Sequence, residues 1–286
     1  MFPPVQSFFD PATYALCHVV HEADGGACAV VDPILDYDPA SGRTSTKTID
    51  RVCTFLHAHR LHLEWILETH AHADHFSGAK VLQREIGGKI AIGAGVCAVQ
   101  EQFRGILGFE ASFRADGSQF DRLLEEGDEL PIGAMRARVM HLPGHTQACV
   151  AYRIGDAVFI GDTIFPPDVG SARCDFPGGD AASLYRSIRR VLALPGETRL
   201  YLCHDYPPAG REVRFFTTVE EQRAENIHFR DSVTEEEFVA MRTRRDASLP
   251  PPNLMLPALQ VNLRGGELPP AEENGIRYLK IPLDAL

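Results

Sequence analysis

Four short apolar segments of this chain run directly into a residue type that binds metal. LEWILET leads into His70, ARVMHL into PGHT and His145, DAVFIG into Asp162, and RLYLC into His204. Their length and flanking turn residues mark these segments as buried strands. A fold that satisfies this pattern must lay the strands side by side, with their ligand-bearing ends along one edge. The first segment delivers the densest group: THAHADH, residues 69–75, carries His70, His72, Asp74 and His75. In extended backbone alternate side chains project the same way, so His70, His72 and Asp74 share a side and His75 is placed to open a helix. Imidazole and carboxylate together suit zinc, iron or manganese. A polar surface turn is the bland use of such a stretch, and so many metal-binding side chains in one turn argue against it.

The rest of the chain supplies alternating strands and helices. Residues 12–20 and ACAVV, 27–31, read as strands around the turn EADGG. Ile49, Val52, Cys53 and Leu56 recur at helical spacing, as do Leu184, Ile188, Val191 and Leu192. Residues 75–86 read as a helix, GKIAIG as a strand, and AYRIGDAVFIGD as a hairpin with a Gly-Asp turn. Strands and helices mixed in this order predict layered α/β packing with a site at one edge of the sheets. Thr234 with Glu237 signals a capped helix through about Arg244, and SLPPPNLMLP reads as an extended crossing segment. Residues 1–206 are therefore expected to form the catalytic core and 207–286 an extension wrapped on it.

Composition excludes several classes. Of the 286 residues 44% are hydrophobic, which supports an ordinary globular core, and the net charge of -11 argues against binding a phosphate backbone. Cysteines 17, 28, 53, 97, 149, 174 and 203 are scattered without a CxxC pair, so neither a disulfide framework nor a zinc ribbon is indicated. The first twenty residues lack the basic and apolar regions of a signal peptide, and no apolar run is long enough to cross a bilayer. A cytoplasmic, reduced protein is expected.

THAHADH, LPGHT, FIGDT and LCHDY, in that order, resemble the metallo-β-lactamase superfamily, which implies an αββα sandwich with metals at the strand ends. Two branches are close. Glyoxalase II is a dinuclear thioesterase acting on glutathione thioesters, and the persulfide dioxygenases are mononuclear non-haem iron enzymes. GSARCDFPGGDAASLYRSI, HDYPP and VNLRGG resemble the dioxygenases, whereas glyoxalase II usually has Phe-Phe-Glu where this chain has Cys174, Asp175 and Phe176. The interval from Asp162 to Arg173 is longer than in the short dioxygenases, Ser171 replaces a frequent Cys, and the tail after NLRGG is longer. These features resemble a longer bacterial subgroup.

The ligand-type residues divide in two ways. As a dinuclear site, His70, His72 and His145 hold one metal and Asp74, His75 and His204 another, with Asp162 bridging; such a site, filled with zinc, hydrolyses. The dioxygenase resemblance implies instead that His70, His145 and Asp162 form a facial triad on one iron(II), with His72, Asp74, His75 and His204 around it. It further implies glutathione persulfide and dioxygen as substrates, sulfite and glutathione as products, and a homodimer, with no nucleic-acid or membrane partner. Arg173 is a candidate for steadying anionic sulfur oxides and Tyr206 for donating a hydrogen bond near the metal. A non-catalytic metal-binding module is the remaining alternative. Cys149 and Cys174 lack a paired base and read as buried thiols. His57, His59, His62 and RTRR, 242–245, read as solvated helix faces, and Met255, Leu256 and Leu259 as core packing.

Overall fold

The computed structural model describes residues 3–284. The first half runs β1 (Val5–Phe9), β2 (Leu16–His21), β3 (Ala27–Val31), β4 (Ile34–Asp38), β5 (Arg43–Ser45), α1 (Lys47–Ala58), β6 (His62–Leu67), β7 (Phe76–Ser77), α2 (Ala79–Ile86), β8 (Lys89–Gly93), α3 (Val96–Ile106) and β9 (Arg122–Leu124). The second runs β10 (Glu129–Ile132), β11 (Met135–His141), β12 (Val150–Ile154), β13 (Ala157–Phe159), α4 (Ala181–Leu192), β14 (Arg199–Tyr201), β15 (Phe216–Thr218), α5 (Val219–Glu225), α6 (Glu235–Asp246) and α7 (Met255–Asn262). One sheet has the order β1-β2-β3-β6-β8-β9 and the other β10-β11-β12-β13-β14-β15, with a small β5-β4-β7 sheet beside them.

Three layers of apolar contact explain the architecture. Val30, Ile66, Ile90 and Ile92 on one face of the first sheet meet Val52 and Leu56 of α1, Leu82 of α2 and Phe103 of α3. The opposite face, with Val31, Leu67 and Ala91, meets Val139, Val150, Tyr152 and Phe159 of the second sheet. The outer face of that sheet, with Met140, Ala151 and Leu200, meets Leu184, Ile188 and Val191 of α4 and Phe238 of α6. This is the expected αββα sandwich. Central strands are buried on both sides, which is why ACAVV and the WIL end of β6 read as continuous apolar runs rather than alternating ones.

Residues beyond 206 complete these layers. Leu259 and Leu263 enter the first cluster, and Val219, Phe229 and Phe238 the third. Met255 and Leu256 pack against the core as expected.

Four local readings are corrected. Residues 12–20 are not one strand: β1 precedes them, and Asp10 accepts from the backbone N–H of Ala12 and Thr13 to make a turn before β2. His75 does not open a helix. Phe76 and Ser77 pair with β4, and α2 begins at Ala79. SLPPPNLMLP is extended only in its first part, because α7 starts at Met255 with Pro257 in its first turn, where a missing N–H costs nothing. RTRR is not uniformly solvated, since Arg242 is 2% exposed. The capping box at Thr234 and Glu237 and the hairpin of β12 and β13 are present as read. Cys149 and Cys174 are buried, with burial pushing the Cys149 thiol up to about 12. Among the described residues no helix is long and apolar enough to cross a membrane.

Candidate metal centre

The parallel pairs β3/β6 and β13/β14 bring their C-terminal ends to the same edge of the sandwich. Asp32 follows β3, Thr69 and His70 follow β6, Asp162 follows β13 and His204 follows β14. The two sheets are stitched there by the Val150 N–H donating to the Thr69 carbonyl at 2.9 Å. Gly161 turns the chain after β13 with φ +54°, and a Cβ there would meet Thr69 Oγ1 at 2.7 Å. The approach of strand ends thus requires that glycine. Gly144 in PGHT plays the same part, since a Cβ would lie 2.3 Å from the Leu184 backbone at the start of α4.

Two clusters of ligand atoms result. His70 Nε2 and His145 Nε2 lie 3.9 and 3.7 Å from Asp162 Oδ2. His204 Nε2 lies 3.1 Å from Asp74 Oδ2 and 3.5 Å from Asp162 Oδ1, and His75 Nδ1 is 3.3 Å from Asp74 Oδ1. One ligand atom from each of His70, His145 and Asp162 falls within 4.8 Å of the others, and the same holds for His72, Asp74, His75 and His204. All except the half-buried Asp74 are buried.

The residues fit a cation. His70 Nε2, His72 Nδ1, His75 Nε2, His204 Nε2 and Asp162 Oδ1 are buried without a hydrogen-bond partner. Each such atom costs about 1–3 kcal/mol if left alone, and their convergence on common points is what metal ligation requires. Metal ligands must also be unprotonated imidazoles. Burial, followed by the crowding of His72 and His145, holds His70 well below the usual histidine range, and burial likewise lowers His75. Burial opposes ionisation of Asp74, yet His204 and His75 hold its carboxyl well below the ordinary value.

The partners of the far ring nitrogens set the tautomers. Thr69 Oγ1 donates to Asp32 Oδ2 at 2.9 Å, so its lone pair receives the Nδ1–H of His70 at 3.0 Å and Nε2 is left bare. His145 Nδ1 donates to the Arg173 carbonyl at 2.8 Å, with the same consequence. His72 is reversed: its Nε2 lies 3.1 Å from Asp32 Oδ1 and 3.3 Å from Glu68 Oε2, so Nδ1 is the atom free to ligate. Burial would lower His72, but Asp32 and Glu68 outweigh it and raise its pKa, while burial, followed by the Asp32 charge, raises that of Glu68. Such outer contacts orient metal ligands.

Asp32, Glu68 and Asn262 are participants that sequence reading passed over. Asp32 ends ACAVVD, the same strand-into-ligand pattern as the four segments noted. Asn262, in VNLRGG, donates to the carbonyls of His72 at 2.7 Å and His75 at 2.8 Å and accepts from Ser77 N–H at 2.7 Å. It pins the metal-binding loop to α7.

Arg173 lines the pocket beside the metal centre, but its guanidinium is committed. It makes a two-pronged bond to Asp175, with both contacts at 2.6 Å, and donates to the Pro250 carbonyl at 2.7 Å. In this arrangement the side chain expected to steady sulfur oxides builds the pocket wall. Tyr206 stacks on His204 with 5.7 Å between centroids and packs edge-on against Phe165. It lines the pocket, and burial, followed by the charges of Asp74 and Asp162, raises its pKa, so it is a donor at neutral pH. His57 and His62 are exposed and His59 pairs with Asp24, away from the site, as the sequence suggested.

Comparison with known proteins agrees with this geometry. Residues 11–204 match the family model described as metallo-beta-lactamase superfamily. The chain is 53% identical to a probable metallo-hydrolase of Burkholderia pseudomallei over 99% of both chains. It is 52% identical to glyoxylase B2 of Dictyostelium discoideum over 91% of this chain and 89% of that one. Identity to the mitochondrial persulfide dioxygenase ETHE1 of Homo sapiens is 27%, over 92% of this chain and 88% of that one. Among solved structures, ETHE1 from Myxococcus xanthus superposes with a TM-score of 0.73 at 26% identity, covering 92% of this chain and all of that one.

Proposed function

The chain belongs to the metallo-β-lactamase superfamily, and within it we propose that it is an iron(II) persulfide dioxygenase. The overall change is glutathione persulfide, dioxygen and water to sulfite and glutathione. One observation carries this reading. The segment whose sequence resembles the dioxygenases, around Arg173 to Phe176, abuts the triad: the Arg173 carbonyl holds His145 Nδ1–H, and the Phe176 ring meets His145 edge-on at 5.1 Å. The likeness to named persulfide dioxygenases along nearly the whole chain supports it.

His70, His145 and Asp162 would hold the iron, which when bound supplies the redox capacity for joining oxygen to sulfur. The chain positions the partners. Thr69 and the Arg173 carbonyl keep both imidazoles in the ligating tautomer. Phe165, Phe176 and Leu249 line the approach and exclude water from the reacting sulfur. Tyr206 presents its hydroxyl to the anionic sulfur, and Asp74 with His204 holds a proton relay beside it. We also propose that residues 1–206 and 207–286 work as one unit, because α7 pins the metal loop through Asn262. A homodimer is proposed alongside, testable by light scattering.

A second reading has its own observation. The unpartnered Nδ1 of His72 and Nε2 of His75 and His204 converge with Asp74, as a second metal requires. This and the glyoxylase B2 relative favour a dinuclear thioesterase. Metal analysis with two assays separates the readings. One iron per chain with oxygen uptake on glutathione persulfide supports the dioxygenase. Two metals with fast, oxygen-independent cleavage of S-lactoylglutathione establishes the thioesterase instead.

A further inference from the structure

A cavity of about 470 Å³ opens outward from the metal centre. Asp74, His145 and Asp162 close its inner end, and the C-terminal segment from α6 to the start of α7 builds the outer wall. Three arginines line it: Arg173, Arg242 and Arg245. They differ in what occupies their guanidinium groups. Arg173 is held by Asp175 and the Pro250 carbonyl. Arg242 is buried, paired with Asp246 and bonded to the Ser171 carbonyl. Arg245, one helical turn on, is exposed at the pocket, and among the described residues its guanidinium has neither a hydrogen bond nor an ion pair. Among the described residues no lysine lines the cavity, and Arg245 is the one arginine of the lining left uncommitted.

We propose that Arg245 is the anchor for a carboxylate on the far end of the substrate, making it a specificity-determining residue of this pocket. The inference rests on the proposed function for the nature of the substrate, a thiol-bearing peptide whose sulfur reaches the metal. An anion cannot settle at the inner end beside Asp74 and Asp162 without a metal, and the wall between is largely apolar, with Phe165, Val169, Leu249 and Leu254. Charge complementarity therefore sorts a substrate end to end: sulfur inward, carboxylate outward. A single guanidinium matches one carboxylate through its paired donors. A thiol carried on several phosphates would need more cations than this cavity offers.

The test is calorimetric titration of the metal-loaded full chain with glutathione and with glutathione whose carboxylates are esterified. Arg245→Gln is expected to weaken glutathione binding about ten-fold, a value at the low end for a charge-assisted contact because the group is exposed. The ester should bind wild type and Arg245→Gln equally, and Arg245→Lys should recover part of the loss. Equal loss of both ligands, no loss of either, or no binding of glutathione to wild type overturns the proposal. Kinetics keep it separate from the function. Discrimination between acid and ester through Arg245 without oxygen uptake would sink the dioxygenase reading alone. Normal oxygen uptake with an unchanged KM in Arg245→Gln would sink the anchor alone.

Discussion

Truncating Asn262 to alanine tests how the C-terminal helix governs the metal loop. Asn262 is 4% exposed, and its amide makes three short contacts, to His72 O at 2.7 Å, His75 O at 2.8 Å and Ser77 N at 2.7 Å. Removing it leaves two carbonyls and one N–H buried without those partners. At about 1–3 kcal/mol for each stranded group the ceiling is high, but water entering the vacated space will satisfy part of the deficit. A net loss of roughly 3–4 kcal/mol follows, a large share of the 5–15 kcal/mol typical of a domain. In urea this is a fall in midpoint of on the order of 1–2 M at a slope of about 2–3 kcal/mol/M. The loop carries His72, Asp74 and His75, so metal affinity should fall as well. Asn262→Asp keeps the acceptor for Ser77 but turns an oxygen on the two carbonyls, so it should be no better than alanine. Far-UV dichroism through a urea titration, with metal analysis of the same preparations, reads both effects. Wild-type midpoint and wild-type metal content in Asn262→Ala would refute the claim that α7 pins the loop.

Three further outcomes are expected. His70→Ala should abolish metal binding, whereas Asp74→Ala should retain one metal per chain with affinity reduced about 10- to 100-fold; equal loss from both, by metal analysis, counts against a mononuclear site. Arg173→Ala should keep its metal, because the main-chain carbonyl and not the guanidinium holds His145, but KM should rise about ten-fold as the tether to Pro250 is lost, with kcat less affected. Stability should fall in mild acid through His18, which burial holds down to about 4 in the fold and which binds the Leu202 carbonyl. The folded pKa lies below the unfolded value of about 6.5, so its contribution is complete above that value and is lost as pH falls from there toward 4. The loss approaches 3 kcal/mol by linkage, and His18→Asn should flatten this part of a denaturant-versus-pH profile.

The candidate ligands were legible in sequence because each one sits where an apolar strand stops, and a strand that stops on His or Asp is a local pattern. His70, His145, Asp162 and His204 needed no tertiary knowledge beyond the expectation that strand ends gather. What orients them was harder to read, because those contacts join residues far apart in the chain. Asp32 and Thr69 are separated by thirty-seven positions, His145 and Arg173 by twenty-eight, and Asn262 lies 190 beyond His72. Helical spacing likewise misled at RTRR. Counting charges on a helix predicts a wet face, but Arg242 is buried because Asp246, one turn away, neutralises it and also accepts from the Cys174 N–H.

These long-range contacts explain why the C-terminal residues cannot be treated as an appendage to the site. Asp246 of α6 fixes the backbone at Cys174, next to the carbonyl of Arg173 that sets the His145 tautomer. Asn262 of α7 fixes the carbonyls of His72 and His75. The two ligand clusters are thus each held from behind by a different C-terminal helix, and the segment between those helices forms the outer pocket wall. A change at Arg245 in the last turn of α6, or at Leu249 just beyond it, acts on substrate fit, while a change at Asp246 or Asn262 acts on the ligands themselves. Variants at Arg245 should therefore shift KM at constant metal content, and variants at Asn262 should shift metal content first. That division follows from which atoms each residue touches, and a joint measurement of metal and KM across both positions would expose any failure of it.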